Sequence, residues 1–255
     1  MKNKLLAIFQ ISITVFFIYY TLSKIGLYKV FEVVKSADLL LILCASIVYF
    51  LSQIISSQRL WFILNENNLI ISSIENIKLY MIGIFYNFFI PGGVGGDAYK
   101  GVLMNKKFQW GLKKIYKLLV LDRLIGFGVI ICLILVFSGF ILDFEFILEF
   151  SAVLAPLYAL LFFIGKVLVQ KIFDNKIVYT KAFFISHLIQ ILQFGSIILI
   201  LISLGVKENY FTFLYIFLIS SVLSIFSFGG IGIREYVFFT LAINTPAGQD
   251  IVTSV

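Results

Sequence analysis

Seven long apolar runs dominate the sequence, and their length constrains the fold more than any other feature. They cover residues 5–23, 39–57, 79–91, 115–139, 146–168, 182–205 and 211–228. A membrane-crossing barrel strand needs only about 10 residues and alternates between apolar and polar positions, whereas most of these runs are far longer and none alternates. Helices are the other way to satisfy backbone polar groups in lipid. The sequence therefore predicts an all-α polytopic membrane protein.

The composition excludes the main soluble classes. Of the 255 residues, 61% are hydrophobic and only 13% are charged, whereas a soluble domain is about 25% charged. A soluble enzyme, a nucleic-acid-binding domain and a disordered tail are excluded on this ground. The 2 Cys and 1 His offer no ligand spacing for a metal. We therefore expect no cofactor and no nucleic-acid partner. We also expect no catalytic residues, because no triad or carboxylate pair is visible.

The third apolar run differs from the others because it is too short to span. Residues 79–91 do not cover about 30 Å of hydrocarbon at about 1.5 Å per residue. If the N-terminus is cytoplasmic, the basic segments 59–78 and 100–117 both lie inside. Residues 79–96 must then enter and leave on one side. This pattern predicts a re-entrant hairpin with glycines at its tip.

Two glycine-rich segments indicate an internal repeat. Residues 92–99 align with residues 229–236, and the apolar runs before them align at the same offset. We expect one membrane domain, 1–255, with a first repeat at 1–140 and an incomplete second repeat at 141–255. Because three crossings separate the copies, the repeat is inverted, as in transporters that bind substrate between their repeats. The repeat also predicts that the chain ends one helix short.

The glycine segments have the chemistry of an anion site. Consecutive glycines let the backbone turn tightly, and exposed N–H groups form a nest for anions. Asp97 has N-cap chemistry for the helix that follows the first segment, and Arg234 stands at the same place in the second. Two helix N-termini and one arginine would suit a phosphate. The alternative is that the glycines only allow close helix packing.

Other polar residues at membrane depth have open alternatives. Asp122 and Arg123 either form a local ion pair at the interface or line a pathway. Arg59 is either an interfacial anchor or a head-group contact. Asn87 at the first glycine turn either contacts the substrate or satisfies the backbone groups that are freed there. Three polar side chains on one side of the sixth run predict interhelical hydrogen bonds, with substrate contact as the alternative: His187, Gln190 and Gln193.

Four motifs resemble the lysylphosphatidylglycerol synthase transmembrane-region family, whose members are also called flippase-like domain proteins. They are Asn87-Phe-Phe-Ile-Pro-Gly-Gly-Val-Gly-Gly-Asp-Ala-Tyr-Lys100, Asp122-Arg-Leu-Ile-Gly126, Gly229-Gly-Ile-Gly-Ile-Arg-Glu235 and Gln58-Arg-Leu-Trp61. The resemblance implies a role in translocating anionic, aminoacylated or polyprenyl-linked lipids. It does not imply synthase activity, which belongs to a soluble domain. Phe228 departs from the family, where a proline often precedes the second motif.

The leading hypothesis is a flippase-like transporter of a phosphate-bearing lipid in the plasma or inner membrane, with a cytoplasmic N-terminus. The alternatives are a small-solute or ion transporter, and a non-catalytic scaffold for an envelope or glycosylation enzyme. The predicted substrate-binding residues are Arg59, Asn87, Pro91, Gly92, Gly93, Gly95, Gly96, Asp97, Lys100, Asp122, Arg123, Gly229, Gly230, Gly232, Arg234 and Glu235.

Overall fold

The computed structural model describes a helical chain. It covers residues 12, 16, 19–20, 23, 35–89, 95–141, 144–173, 176–224 and 232–243, and these include no strand. The helices in this part of the chain are α1 (Leu39–Glu66), α2 (Ser73–Phe89), α3 (Gly95–Phe108), α4 (Leu112–Ile141), α5 (Phe144–Phe173), α6 (Lys176–Ser203), α7 (Tyr210–Leu223) and α8 (Ile233–Ile243). The prediction of an all-α membrane protein is confirmed.

Four of these helices are long and apolar enough to cross a membrane. The candidate spans are Leu39–Glu66, Leu112–Ser138, Leu154–Lys171 and Val178–Ser203. They coincide with four of the apolar runs, because a run of about 20 apolar residues has no other way to satisfy its backbone in lipid. The first run, 5–23, lies largely outside the described residues.

Helices α2 and α7 are shorter than the four candidate spans. Helix α2, at run 79–91, has 17 residues, and α7, at run 211–228, has 14. Segments 90–94 and 225–231, which include the glycine tips, lie outside the described residues. The re-entrant path and the inverted repeat therefore stay predictions.

The contacts divide the chain into two compact units, and one of them contains the charged residues of interest. This unit comprises Tyr49–Ile84 and Asp97–Gln193. Its core is apolar and combines α1, α3, α4 and α6 through Leu60, Ile63, Leu64, Met104, Ile115, Leu118, Ile125, Val129, Val178, Ala182 and Phe183. On α4 the buried positions follow helical spacing, whereas Val120 and Leu124 are exposed. Exposed apolar side chains of this kind suit contact with lipid.

The other unit comprises Met1–Val48, Phe85–Gly96 and Phe194–Val255. Asp38 begins α1 by accepting a hydrogen bond from the Leu40 N–H at 2.9 Å. The Ser196 hydroxyl donates to the carbonyl of Ala45 at 2.9 Å, which ties α6 to α1. Gly195 precedes this serine, and a methyl group at its Cα would lie 3.9 Å from the Val48 side chain on α1, an ordinary contact distance.

Candidate functional site

A buried charged pair joins α1 to α4. Nε of Arg59 donates to Oδ1 of Asp122 at 2.7 Å, and Nη2 donates to Oδ2 at 3.1 Å. Both side chains are only 9% exposed. Nη1 of Arg59 donates to the Ser186 hydroxyl on α6 at 2.7 Å. One guanidinium therefore connects three helices, and its paired fork on a carboxylate is the strong form of this contact.

Gly126 makes room for this arrangement. It lies one helical turn after Asp122, and a Cβ added there would be 3.0 Å from Nη1 of Arg59. Such a distance is tighter than ordinary contact. The Asp-Arg-Leu-Ile-Gly motif thus contains both the acceptor for the guanidinium and the small residue beside it.

A second charged group lies at the start of α3. Oδ1 of Asp97 is 2.8 Å from Nζ of Lys100, and Oδ2 accepts a hydrogen bond from Nε of Arg123. The Asp97 and Lys100 side chains are 12% and 4% exposed, whereas Arg123 is 45% exposed. Arg123 is therefore the cation of this group that is open to an incoming anion.

Tyr80 lies beside both groups. Nζ of Lys100 is 4.7 Å from the centre of its ring, a cation–π contact. Its hydroxyl is also within electrostatic range of Arg59, Asp122 and Arg123. The two groups together hold three cations and two carboxylates, so they carry one net positive charge. We call these five charged residues the charged cluster: Arg59, Asp97, Lys100, Asp122 and Arg123.

Asp122 and Arg123 do not form the local ion pair that was one of the two alternatives for them, because neighbouring residues on a helix point in different directions. Each binds a residue on another helix instead. Asp97 does not cap α3, because the helix already begins at Gly95. Its carboxylate binds cations within the bundle instead.

Asn87 takes the capping role. Its Oδ1 accepts a hydrogen bond from the N–H of Gly96 at 2.9 Å, which satisfies a free donor in the first turn of α3. Asn87 therefore satisfies a backbone group at this turn, which is one of the two alternatives for it. Gly95 and Gly96, the first two residues of α3, are buried. Pro91, Gly92 and Gly93 lie outside the described residues.

The second glycine segment is described only from Gly232 onward. Gly232 has φ 88°, a conformation that favours glycine. Its N–H donates to Oε2 of Glu235 at 2.6 Å, so Glu235 caps α8 in the manner of a capping box. Arg234 is exposed. Gly229 and Gly230 lie outside the described residues.

The polar side of α6 makes an interhelical contact, as expected. Nδ1 of His187 is 2.9 Å from the carbonyl oxygen of Phe183, and its Nε2 hydrogen-bonds with the Tyr158 hydroxyl on α5. Oε1 of Gln190 is buried without a partner in the described part of the chain. No group of three or more His, Cys, Asp or Glu that could hold a metal occurs within the described ranges.

A further ion pair lies at the surface. Nζ of Lys107 donates to Oε1 of Glu75, and their side chains are 54% and 37% exposed. The hydrogen bond from Lys107 lowers the pKa of Glu75 below its usual value. We call Glu75 and Lys107 the surface ion pair; they provide a matched contrast to the buried pairs.

Sequence reasoning missed three contributors: Tyr80, Ser186 and the spacing role of Gly126. A tyrosine and a serine are common in a chain with 13 Tyr and many hydroxyl residues, so neither carried a signal. The place of Gly126, four residues after Asp122, was the available clue, because residues four apart share one face of a helix.

The described part of the chain has four helices that are long and apolar enough to span a membrane, and buried ion pairs lie among its helices. These features define a polytopic α-helical membrane protein. Residues 7–255 match the family model described as Lysylphosphatidylglycerol synthase TM region, and the chain belongs to this family. It is also 28% identical over 127 residues to UPF0104 membrane protein PH1989 of Pyrococcus horikoshii. That match covers 49% of this chain and 37% of the relative, so the chain spans little more than a third of that protein. No solved structure matches the chain.

Proposed function

We propose that the protein moves a phosphate-bearing lipid between the leaflets of a membrane, and that Arg123 binds the phosphate. The supporting observation is the exposure of Arg123, which is 45% exposed in an otherwise buried charged cluster. Its neighbour Leu124 is also exposed. A cation next to a lipid-facing apolar surface suits a ligand that has both a phosphate and acyl chains. A buried ion pair alone would not need this exposure.

The binding step is an exchange of acceptors. Arg123 is bound to Asp97 through Nε, and a phosphate would replace that carboxylate on the guanidinium fork. Asp97 keeps Lys100 as its partner at 2.8 Å. The single net positive charge of the charged cluster favours an anion. The exchange therefore leaves no carboxylate unpaired, which keeps the cost of ligand binding low.

Arg59 and Asp122 have a different role in this proposal. They are 9% exposed and satisfied by each other and by Ser186, so they hold helices together and do not contact the lipid. After the lipid has moved, the second glycine segment and Arg234 would hold its phosphate. Rocking of the predicted repeats would alternate access to the two leaflets.

We also infer the class of protein, its membrane and its orientation. We infer a transporter and not an enzyme, in the plasma or inner membrane with the N-terminus in the cytoplasm. The basic residues concentrated between Lys100 and Lys117 support this orientation through the positive-inside rule. A partner envelope or glycosylation enzyme is compatible with the same site.

Reconstitution into liposomes tests the proposal. Fluorescently labelled phosphatidylglycerol is placed in both leaflets, and a membrane-impermeant quencher reports the fraction that moves outward with time. We expect native protein to move the lipid, Arg123→Gln to reduce the rate at least tenfold, and Arg123→Lys to give an intermediate rate because it keeps charge without the fork.

Glu75→Gln is the matched control, because it removes one charge from an ion pair on the same unit. It should leave the rate unchanged. Native rates for Arg123→Gln, or no movement by native protein, would refute the proposal. Uptake of a soluble anion without lipid movement would instead support a solute transporter.

A further inference from the structure

Five exposed lysines lie around the turn between α3 and α4. They are Lys106, Lys107, Lys113, Lys114 and Lys117. From Ala98 to Leu121 the chain has no Asp or Glu, and Lys107 pairs with Glu75 in the surface ion pair. We call these five lysines the basic surface. It is separate from the charged cluster, whose members on the same two helices are Asp97, Lys100, Asp122 and Arg123.

The turn that carries the basic surface is well formed. Asn105 accepts two hydrogen bonds, one from the Gln109 N–H through its carbonyl at 2.9 Å and one from the Gly111 N–H through its side chain at 2.8 Å. Gln109 and Gly111 have φ values of 56° and 85°, and only residues 109–111 separate α3 from α4. The five lysines therefore lie within residues 106–117, on both sides of one short turn.

Two aromatic side chains fix the turn to the protein. The rings of Phe108 and Trp110 stack with centroids 4.3 Å apart and an interplanar angle of 9°. Both pack against the apolar core of the unit. Tryptophan is typical of the membrane interface, where its ring lies at the level of the head groups. Trp110 therefore indicates the depth of the basic surface.

We infer that the basic surface binds the head groups of anionic phospholipids at the membrane interface. A cluster of lysines next to a spanning helix attracts such lipids by about 1 kcal/mol for each lysine near the surface, or about fivefold in affinity. The positive-inside rule alone requires lysines on this side, but it requires neither a hydrogen-bonded turn nor a stacked tryptophan between them. The inference is independent of the proposed transport through Arg123.

Trp110 provides a direct probe. The chain has 2 Trp, and Trp61→Phe leaves Trp110 as the sole one. The carbonyl of Ile71, to which Trp61 donates, keeps a second donor in Asn65. The full chain is reconstituted into vesicles of phosphatidylcholine and phosphatidylglycerol in which one lipid at a time is brominated. Quenching of Trp110 then gives the ratio of association constants for the anionic and the neutral lipid.

We expect this ratio to exceed five for the Trp61→Phe protein and to fall in 0.5 M NaCl. In a variant with Lys106, Lys113, Lys114 and Lys117 changed to Gln, the ratio should fall to about one. A control variant removes the same number of charges from exposed lysines elsewhere, with Lys35, Lys78, Lys171 and Lys207 changed to Gln.

The control should keep the full ratio, and so should Arg123→Gln, which separates this inference from the proposed transport. A ratio near one in the Trp61→Phe protein would overturn the inference. An equal fall in the control variant would also overturn it, because total charge and not the basic surface would then be responsible. Cysteine accessibility confirms that each variant keeps the native orientation.

Discussion

Replacing Asp122 by Asn tests the buried ion pair between α1 and α4. The carboxylate accepts two hydrogen bonds from Arg59, at 2.7 and 3.1 Å, and both side chains are 9% exposed. An amide keeps one acceptor oxygen but turns an NH2 group toward the guanidinium. The variant therefore loses a charge-assisted hydrogen bond and leaves a buried cation without its counter-charge.

The expected cost follows from these two losses. A hydrogen bond to a charged group contributes about 1.5–3 kcal/mol, and removing one partner of a buried ion pair costs about 3–5 kcal/mol in total. Because whole proteins are stable by about 5–15 kcal/mol, Asp122→Asn should remove roughly a fifth or more of the free energy of unfolding. The fluorescence of Trp61, two residues after Arg59 in α1, reports unfolding by denaturant in detergent micelles.

Two comparisons make this test decisive. Glu75→Gln breaks the surface ion pair and should leave the unfolding midpoint almost unchanged, because exposed pairs are screened by solvent. The double variant Arg59→Met with Asp122→Leu replaces the buried pair by apolar groups and should recover most of the lost stability. If Asp122→Asn unfolds at the same denaturant concentration as Glu75→Gln, the reasoning about the buried pair is refuted.

Three further predictions concern single contacts. Gly126→Ala should destabilise the protein by about 1–3 kcal/mol in the same unfolding assay, because the new methyl group lies 3.0 Å from Nη1 of Arg59; no loss would mean that the guanidinium has space to move. Asn87→Ala should cost about 1 kcal/mol and speed amide hydrogen exchange at Gly96, whose N–H loses its acceptor; unchanged exchange would contradict the cap. Because the hydrogen bond in the surface ion pair lowers the pKa of Glu75, its contribution to stability is present above the ordinary pKa of about 4.3 and disappears as the pH falls through the lowered value. The difference in melting temperature between native protein and Glu75→Gln should therefore be small but measurable at pH 6 and should shrink as the pH falls below the ordinary pKa.

The sequence was sufficient to predict the spanning helices. Each confirmed span is an apolar run of about 20 residues, and in lipid such a run can only be a helix. The role of Asn87 was also accessible, because helix starts beside glycine turns leave free N–H groups that need an acceptor. These predictions depend on local chemistry within a few residues, which the sequence contains directly.

The pairing of charges was not accessible in the same way. Arg59 and Asp122 are 63 positions apart, and the sequence offers Asp122 a cation at the next position, Arg123. Adjacency suggested a local pair, although consecutive residues on a helix point about 100° apart. That geometry excludes the local pair, but it does not select Arg59 or Asp97 as the true partners. Only the packing of α1, α3 and α4 selects them.

The same geometry has a consequence for transport. Because Asp122 and Arg123 are consecutive, one turn of α4 holds both the buried pair with Arg59 and the exchangeable contact with Asp97. If the two are as distinct as their exposure indicates, the variant with Arg59→Met and Asp122→Leu should keep both its stability and its rate of lipid movement, since Arg123 retains Asp97. A stable double variant that no longer moves lipid would instead make the buried pair part of the transport step, and α4 would then have to change its packing against α1 in each cycle.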